Sequence, residues 1–198
     1  MARTQAADFA ERRAAIVEEA ARLFAERGFL GASIADLAAA CGSSKSLVYH
    51  YYASKEDILF DVMHSHVKAL LDAADEVAAS DAAPAAKLRA LTHAFMRLYI
   101  GAAARHRVLL NELQRLPQQQ RDTVIEIQRR LIAIVAKIVA ELRPDLSASL
   151  TSPAAMLYFG MINWTHTWMD PKGPETPQAI ADLAARIFLE GISRASLP

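Results

Sequence analysis

A chain of 198 residues with 53% apolar content has enough apolar material to bury a core. Its 22 basic and 22 acidic residues cancel, so the net charge gives no indication of a nucleic-acid partner. The N-terminus lacks the apolar run of a signal peptide, and the most apolar segment, 153–162, is about half as long as a bilayer span requires. We therefore expect a cytoplasmic protein that makes no membrane contact. The single cysteine, Cys41, excludes a disulfide within one chain and is expected to be a small buried hydrophobe.

Helical periodicity runs through the whole chain. No segment shows the alternating pattern of a strand, so we expect an all-α fold. The first helix spans about 9–27 and ends at Gly28, after which Phe29 is expected to fold back onto the same core. Two short helices follow, and then a long helix over about 54–79 that opens with a capping box. The segment 80–84 is the first clear break in the pattern.

The two short helices have the layout of a helix-turn-helix unit that reads DNA. Apolar residues at i, i+3, i+4 and i+7 predict that the first of them buries one stripe, and Gly42 supplies the positive φ that ends it. Ser43 or Ser44 then caps a second helix over about 44–51, which is too short to bury much of itself. Its polar side chains are therefore expected to face a partner. The stripe consists of Ile34, Leu37, Ala38 and Cys41, and the outward side chains are Lys45, Ser46, Tyr49, His50, Tyr51 and Tyr52.

Helices also fill the C-terminal part of the chain. Proline and glycine residues separate them, with irregular stretches at 144–152 and 170–174. The helix that begins near 118 has an apolar stripe so wide that it implies burial on more than one side. We divide the chain into a helix-turn-helix domain over 1–56 and a second domain over 57–198, joined by the long helix without a flexible linker. The predicted helices span about 85–104, 106–115, 118–142, 152–169 and 176–194.

The run from Gly42 to Asp57, together with Ala21–Phe29, forms a motif within about residues 10–60. This motif resembles the N-terminal signature of TetR-family transcriptional regulators. The resemblance implies an all-helical homodimer whose three N-terminal helices bind double-stranded operator DNA. It also implies a larger C-terminal domain that binds a small-molecule effector and forms the dimer.

The resemblance assigns DNA contacts to side chains of the helix-turn-helix unit. It implies that the start of the second short helix faces base edges, and that its end and the start of the long helix contact phosphates. Free N–H groups at a helix start also favour a phosphate. This sequence has Ser46 where the family usually has glycine, and Tyr52 where it usually has phenylalanine. Two alternatives stay open: Tyr49 and Tyr52 are core residues, or the lysines are ordinary surface residues. The candidates are Lys45 and Ser46 at base edges, Tyr49, Tyr51 and Lys55 at phosphates, and Ser33 and Ser44 at helix starts.

Two stretches of the C-terminal part, 112–117 and 163–174, resemble the branch of the family that senses acyl-CoA thioesters, including regulators of fatty-acid and phenylacetate degradation. This resemblance implies an apolar tunnel for the acyl group, with basic residues at its mouth for the phosphates. The alternatives are aromatic residues that form the core, arginines that are solvated, and polar groups that make core hydrogen bonds. The candidate ligand residues are Phe95, Tyr99, Phe159, Trp164 and Trp168 for the tunnel, Arg115 and Arg130 for the mouth, and the polar residues Asn111, Asn163 and His166.

The sequence contains no recognisable catalytic motif. The six histidines include no pair with the spacing of a zinc hydrolase, and neither a glycine-rich phosphate loop nor a serine elbow is present. We therefore expect no catalytic residue, no metal site and no cofactor. The alternative function is a helical acyl- or lipid-binding protein without a DNA function, which would not need an exposed helix over 44–51.

The last two helices are expected to form the dimer. A regular apolar stripe on the final helix predicts that 152–169 and 176–194 pair with their copies as a four-helix bundle, and small residues on it permit close approach. The alternative is that this stripe packs inside its own subunit. The stripe consists of Ile180, Leu183, Ala184, Ile187, Phe188 and Ile192, and the small residues are Ala184 and Gly191.

Overall fold

The computed structural model describes residues 2–170 and 172–194 of the chain. Every regular element in these residues is helical, which confirms the all-α expectation. Among them no helix combines the length and the apolar character that a membrane crossing needs. The helices are α1 (Ala2–Gly31), α2 (Ile34–Ala40), α3 (Lys45–Tyr51), α4 (Lys55–Ala78), α5 (Pro84–Gly101), α6 (Ala103–Asn111), α7 (Gln118–Leu142), α8 (Ala148–Asn163) and α9 (Pro177–Arg194).

The chain forms two compact units. The first, called here the N-terminal unit, contains the residues up to Val67 together with Ala104–Val124, and the second, the C-terminal unit, contains Lys68–Ala103 and the residues from Ile125 onward. The long helices α4 and α7 each contribute residues to both units.

A kink at Gly28 interrupts α1 shortly before the helix ends at Gly31. This glycine has φ +72°, a left-handed conformation that L side chains rarely adopt, so the helix bends sharply there. Phe29 turns back and packs edge-on against Phe24, with 5.4 Å between the ring centroids, and is 4% exposed. The predicted return of Phe29 onto the core is therefore correct, although α1 begins before the predicted start near residue 9.

Two histidines pair inside the N-terminal unit, where α4 meets α6. His66 and His106 are 2% and 1% exposed, and His66 Nε2 lies 3.2 Å from His106 Nδ1. Burial first, and then the neighbouring Arg105 charge, lower the pKa of His66 to about 4, so His66 is neutral at pH 7.

In the C-terminal unit α9 packs chiefly on α5. Its inner face consists mostly of alanines, which let the two helix axes approach closely. Ala184 lies on this inner face and is 7% exposed. It therefore packs inside its own subunit, and its predicted place on a stripe that faces the dimer partner is wrong. The buried residues of this face are Ala181, Ala184, Ala185 and Leu189.

Helix α8 differs from its prediction at both ends. It begins at Ala148 rather than near 152, because Pro153 stands in its second turn and removes only one N–H from the helical hydrogen-bond pattern. It ends at Asn163, and a 3-10 turn over Trp164–Thr167 replaces the predicted continuation to 169. Side chains of this turn bond the carbonyls three residues back and so favour the tighter turn. These bonds are Thr165 Oγ1 to Ile162 O (2.6 Å), His166 Nδ1 to Asn163 O (2.6 Å) and Thr167 Oγ1 to Trp164 O (2.7 Å).

Candidate DNA-binding surface and effector residues

Two serines cap the helices of the helix-turn-helix unit. Ser33 Oγ accepts a hydrogen bond from the N–H of Asp36 at 3.1 Å, and the Asp36 carboxylate accepts one from the N–H of Ser33 at 2.9 Å. These bonds form a capping box at the start of α2, and hydrogen bonds from Ser33 lower the pKa of Asp36. Ser44 Oγ likewise accepts from the N–H of Leu47 at 3.2 Å at the start of α3. Both hydroxyls therefore have a structural partner before any DNA is considered.

Helix α3 packs through one fully buried side chain and presents the others. Val48 is 0% exposed, whereas Lys45, Ser46 and His50 are exposed and Tyr49 is 53% exposed. The turn before α3 contains Gly42 with φ +58°, as its place in the motif predicts. The sequence therefore forms a short helix whose outer surface is polar and open.

Tyr51 at the end of α3 packs on α1. Its ring lies 4.6 Å from that of Phe9, centroid to centroid, and His50 stands edge-on to both rings. Tyr51 is half-buried by this contact. The aromatic cluster joins the N-terminal part of α1 to the end of the exposed helix.

Tyr52 is a core residue with its hydroxyl in a polar network. It is 5% exposed, and its hydroxyl donates to Asp61 Oδ2 at 2.5 Å and accepts from Arg13 Nε at 3.1 Å. Burial, followed by the bond to Asp61, raises the pKa of this hydroxyl far above its ordinary value. The hydroxyl that distinguishes Tyr52 from the phenylalanine usual in the motif is thus satisfied inside the unit. Arg13 and Asp61 also form an ion pair at 3.0 Å.

Lys55 binds protein backbone. Its Nζ donates to the carbonyl of Phe29 at 2.7 Å and to the carbonyl of Ala32 at 2.8 Å, and it lies 4.1 Å from the centroid of the Phe29 ring. Two of its three N–H groups are thereby used to hold the segment between α1 and α2, which leaves one for a phosphate. Sequence reasoning missed this role because the two carbonyls lie 26 and 23 residues away along the chain.

Three of the aromatic effector candidates meet in the C-terminal unit. Phe95 is 0% exposed; its ring centroid lies 6.2 Å from that of Tyr99 and 5.8 Å from that of Phe159. Tyr158, 0% exposed, contacts Phe159 and shares a 3.0 Å hydrogen bond with Thr92. Burial raises the pKa of Tyr99, so its hydroxyl stays neutral.

The polar and surface candidates of the C-terminal unit fall into two groups. Asn163 Oδ1 is buried and has no hydrogen-bond partner among the described residues, which leaves an acceptor available beside the 3-10 turn. His166 is half-buried and contacts the Asn163 carbonyl. Trp164 and Trp168, expected in a tunnel, instead lie at the subunit surface, 65% and 56% exposed. Arg130 is exposed and its Nη2 lies 3.3 Å from Asp75 Oδ2.

Two candidates for the mouth of a ligand tunnel belong to the N-terminal unit. Asn111 Nδ2 donates to the Arg107 carbonyl at 2.9 Å at the end of α6. Arg115 Nε lies 3.7 Å from Glu112 Oε2. The ten effector candidates are therefore divided between the two compact units.

Helices α8 and α9 of the C-terminal unit each expose large apolar side chains. Leu183 and Ile187 on α9 are 51% and 55% exposed, and Met156 and Leu157 on α8 are 53% and 74% exposed. The predicted α9 stripe thus divides into an inner part that packs on α5 and an outer part that water reaches. In one subunit the outer part of the α9 stripe and the exposed α8 residues are therefore large apolar side chains without a cover.

Comparison with known proteins decides the family. Residues 16–62 match the model for "Bacterial regulatory proteins, tetR family", and residues 81–192 match the model for the "Tetracyclin repressor-like, C-terminal domain". A solved TetR-family transcriptional regulator from Bordetella parapertussis is 39% identical, with a TM-score of 0.86 over 94% of this chain and 98% of that one. The chain belongs to the TetR family of bacterial transcriptional regulators. The sequence resemblance is thereby confirmed, and α3 lies within the matched range.

Two further relatives have more specific names. The HTH-type transcriptional repressor KstR2 of Mycobacterium tuberculosis is 28% identical over 191 residues, which cover 92% of this chain and 94% of KstR2. AibR, solved in complex with isovaleryl coenzyme A and operator DNA, is 26% identical, with a TM-score of 0.79 over 89% of this chain and 97% of AibR. Both similarities extend through the C-terminal part as well as the helix-turn-helix unit.

Proposed function

We propose that this TetR-family protein is a ligand-responsive repressor that binds a palindromic operator as a homodimer and has no enzymatic activity. The observation that carries the proposal is α3, which is fixed by the buried Val48 and exposes Lys45, Ser46 and Tyr49. A seven-residue helix with so little buried surface gains little from its own packing, so its polar outer surface needs another explanation. A major groove of DNA accepts such a helix.

The proposed DNA contacts follow the placement of each residue. Lys45 and Ser46, in the first turn of α3, face base edges, and the exposed Tyr49 contacts a phosphate. Tyr51, half-buried against Phe9, contacts a phosphate through its hydroxyl, and Lys55 does so through the N–H that its two backbone bonds leave. Ser33 and Ser44 act through the helix starts that they cap, where free N–H groups favour a phosphate.

A homodimer supplies the second helix that specific recognition needs. One α3 contacts too few base pairs for useful specificity, whereas a two-fold pair contacts two half-sites. The exposed apolar residues of α8 and α9, Leu183 and Ile187 among them, form the face that we assign to the partner subunit. Packed against its copy, this face forms a four-helix bundle.

The effector that we propose is an acyl-CoA thioester, with phenylacetyl-CoA as one candidate. The AibR complex supports this class of ligand, since that relative was solved with isovaleryl coenzyme A. In this chain the aromatic cluster around Phe95 suits an acyl group, and the unpartnered Oδ1 of Asn163 suits a polar donor of the ligand.

We place the domains at 1–56 and 57–198, and the site of action in the cytoplasm.

The experiment that tests this function is selection of duplexes from a random-sequence DNA pool, followed by release with thioesters. We expect enrichment of an inverted repeat, and release of this DNA from the protein by at least one of phenylacetyl-CoA and isovaleryl-CoA. Phenylacetate and CoA alone are the controls. A protein that enriches no sequence yet binds thioesters is an acyl-binding protein instead; one that enriches a repeat but ignores every thioester is a repressor with another effector.

A further inference from the structure

The backbone of Phe29 is held from both sides by charged side chains. Its carbonyl accepts from Lys55 Nζ at 2.7 Å, and its N–H donates to Glu112 Oε1 at 3.2 Å. Phe29 follows the bend at Gly28 and precedes α2 by a few residues. The two side chains therefore fix the direction in which the chain runs from the Gly28 kink into the helix-turn-helix unit.

Glu112 reaches this point from a distant part of the N-terminal unit. It follows α6, is 18% exposed at its side chain, and its second carboxylate oxygen lies 3.7 Å from Arg115 Nε. A methyl group placed on Gly28 would meet Glu112 Oε1 at 3.4 Å, so the carboxylate lies directly over the bend. The carboxylate is held there by the Phe29 N–H on one oxygen and by Arg115 on the other.

Glu112 belongs to the segment Ala104–Val124, which makes a second contact close to the DNA-binding elements, with the start of α4. Gln120 Nε2 donates to Asp57 Oδ1 at 2.7 Å, and the other carboxylate oxygen of Asp57 accepts from Ser54 in the cap of α4. Gln120 thus holds the first turn of the helix that carries Lys55. The segment therefore fixes both side chains that bind the Phe29 backbone. Glu112 belongs to it, and Lys55 stands in the turn of α4 that Gln120 holds.

We propose that Glu112 is a positioning residue for DNA recognition, whose carboxylate sets the orientation of α2 and α3 by holding the Phe29 N–H. The inference rests on the proposed function, because it concerns how the operator-binding helices are held. It adds a residue of the α6–α7 connection to DNA recognition without any DNA contact of its own. Two half-sites must be matched at once, so a loss of orientation weakens specific binding more than non-specific binding.

Two substitutions separate the position of Glu112 from its charge. Glu112→Gln keeps an oxygen at the same reach and removes the charge, whereas Glu112→Asp keeps the charge and withdraws the carboxylate by about 1.5 Å, beyond hydrogen-bond distance. Positioning predicts that the Asp variant loses roughly tenfold in affinity for the selected duplex while the Gln variant binds like wild type. Simple electrostatics predicts the opposite order, because removing a negative charge strengthens DNA binding and moving it slightly does not.

The test measures affinity for the selected duplex and for a scrambled duplex by fluorescence anisotropy, and the unfolding midpoint of each full-length variant. Asp122→Ala, which removes an exposed carboxylate from the same segment, is the control and is expected to leave the ratio of the two affinities unchanged. We expect that ratio to fall about tenfold in Glu112→Asp and to be retained in Glu112→Gln. An unchanged ratio in Glu112→Asp, or an equal loss in Glu112→Gln, overturns the inference. If wild type prefers no duplex, the proposed function itself has failed.

Discussion

Removing the Lys55 ammonium is expected to destabilise the N-terminal unit as well as weaken DNA binding. Its two hydrogen bonds to the carbonyls of Phe29 and Ala32 involve a charged donor, and each such bond contributes about 1.5–3 kcal/mol. Because Lys55 is half-buried and water can replace part of these bonds, we expect Lys55→Met to lower the free energy of unfolding by about 2–3 kcal/mol. That loss corresponds to a fall of roughly 5–10 °C in the unfolding midpoint.

The assay is thermal unfolding followed by circular dichroism at one fixed protein concentration, since dimerisation makes the midpoint depend on concentration. Met keeps most of the packing on the Phe29 ring, so the loss reports on the ammonium. Lys45→Met is the matched control, because it removes the same charge from an exposed position and is expected to leave the midpoint within about 1 °C. If Lys55→Met unfolds with wild type and lowers the slope of log affinity against log salt by about one phosphate, Lys55 is a DNA contact alone.

Four further predictions concern recognition, assembly, pH and the effector. Lys45→Ala should change the preference among operator variants by about 1–3 kcal/mol in competition binding, and equal effects on all sequences would contradict a base contact. Leu183→Glu with Ile187→Glu should give helical monomers by light scattering and circular dichroism; an intact dimer rules out the assigned face. Because the folded pKa of His66 is depressed to about 4, the unfolded chain takes up a proton first, and stability should fall by about 2 kcal/mol from pH 7 to pH 5. Equal fall in His66→Gln would refute that cause. Calorimetry should show that phenylacetyl-CoA binds more tightly than phenylacetate, and equal affinities would contradict a basic mouth.

Local signals in the sequence were sufficient for the helix-turn-helix unit. Gly42 has the positive φ that its position after an apolar stripe predicts, and Ser44 caps α3. The stripe itself is only partly buried: Leu37 is 1% exposed, whereas Cys41 is half-buried rather than buried. Such features depend on neighbours within one or two turns, and for that reason a pattern of residues reveals them.

Long-range contacts could not be predicted in the same way. The partners of Lys55 and Glu112 lie between 23 and 83 residues away, and no local pattern encodes such pairs. The segment Ala104–Val124 joins the N-terminal unit through contacts of this kind, although it follows α5 in the chain. Its membership depends on the tertiary structure alone.

The effector candidates show the same limit in the C-terminal unit. Aromatic residues at helical spacing are equally compatible with a core and with a tunnel, and Phe95 does contact both Tyr99 and Phe159. Trp164 was expected to line a tunnel as part of a helix over 152–169, but the helix ends before it, and the 3-10 turn that begins at this residue leaves it at the surface. The direction that a residue faces at the end of a helix depends on the conformation of the turn there. In this chain hydrogen bonds from threonine hydroxyls to backbone carbonyls favour the 3-10 turn.

Methylation interference at guanine N7 on the selected duplex probes operator recognition by α3, because N7 lies in the major groove where α3 is proposed to bind. We expect two patches of interference related by two-fold symmetry, with centres about one helical turn apart or a multiple of it. In Lys45→Ala the same guanines should interfere less, in both patches alike. Interference confined to one patch, or none at N7 on a duplex that the protein binds specifically, would contradict recognition of an operator by paired α3 helices.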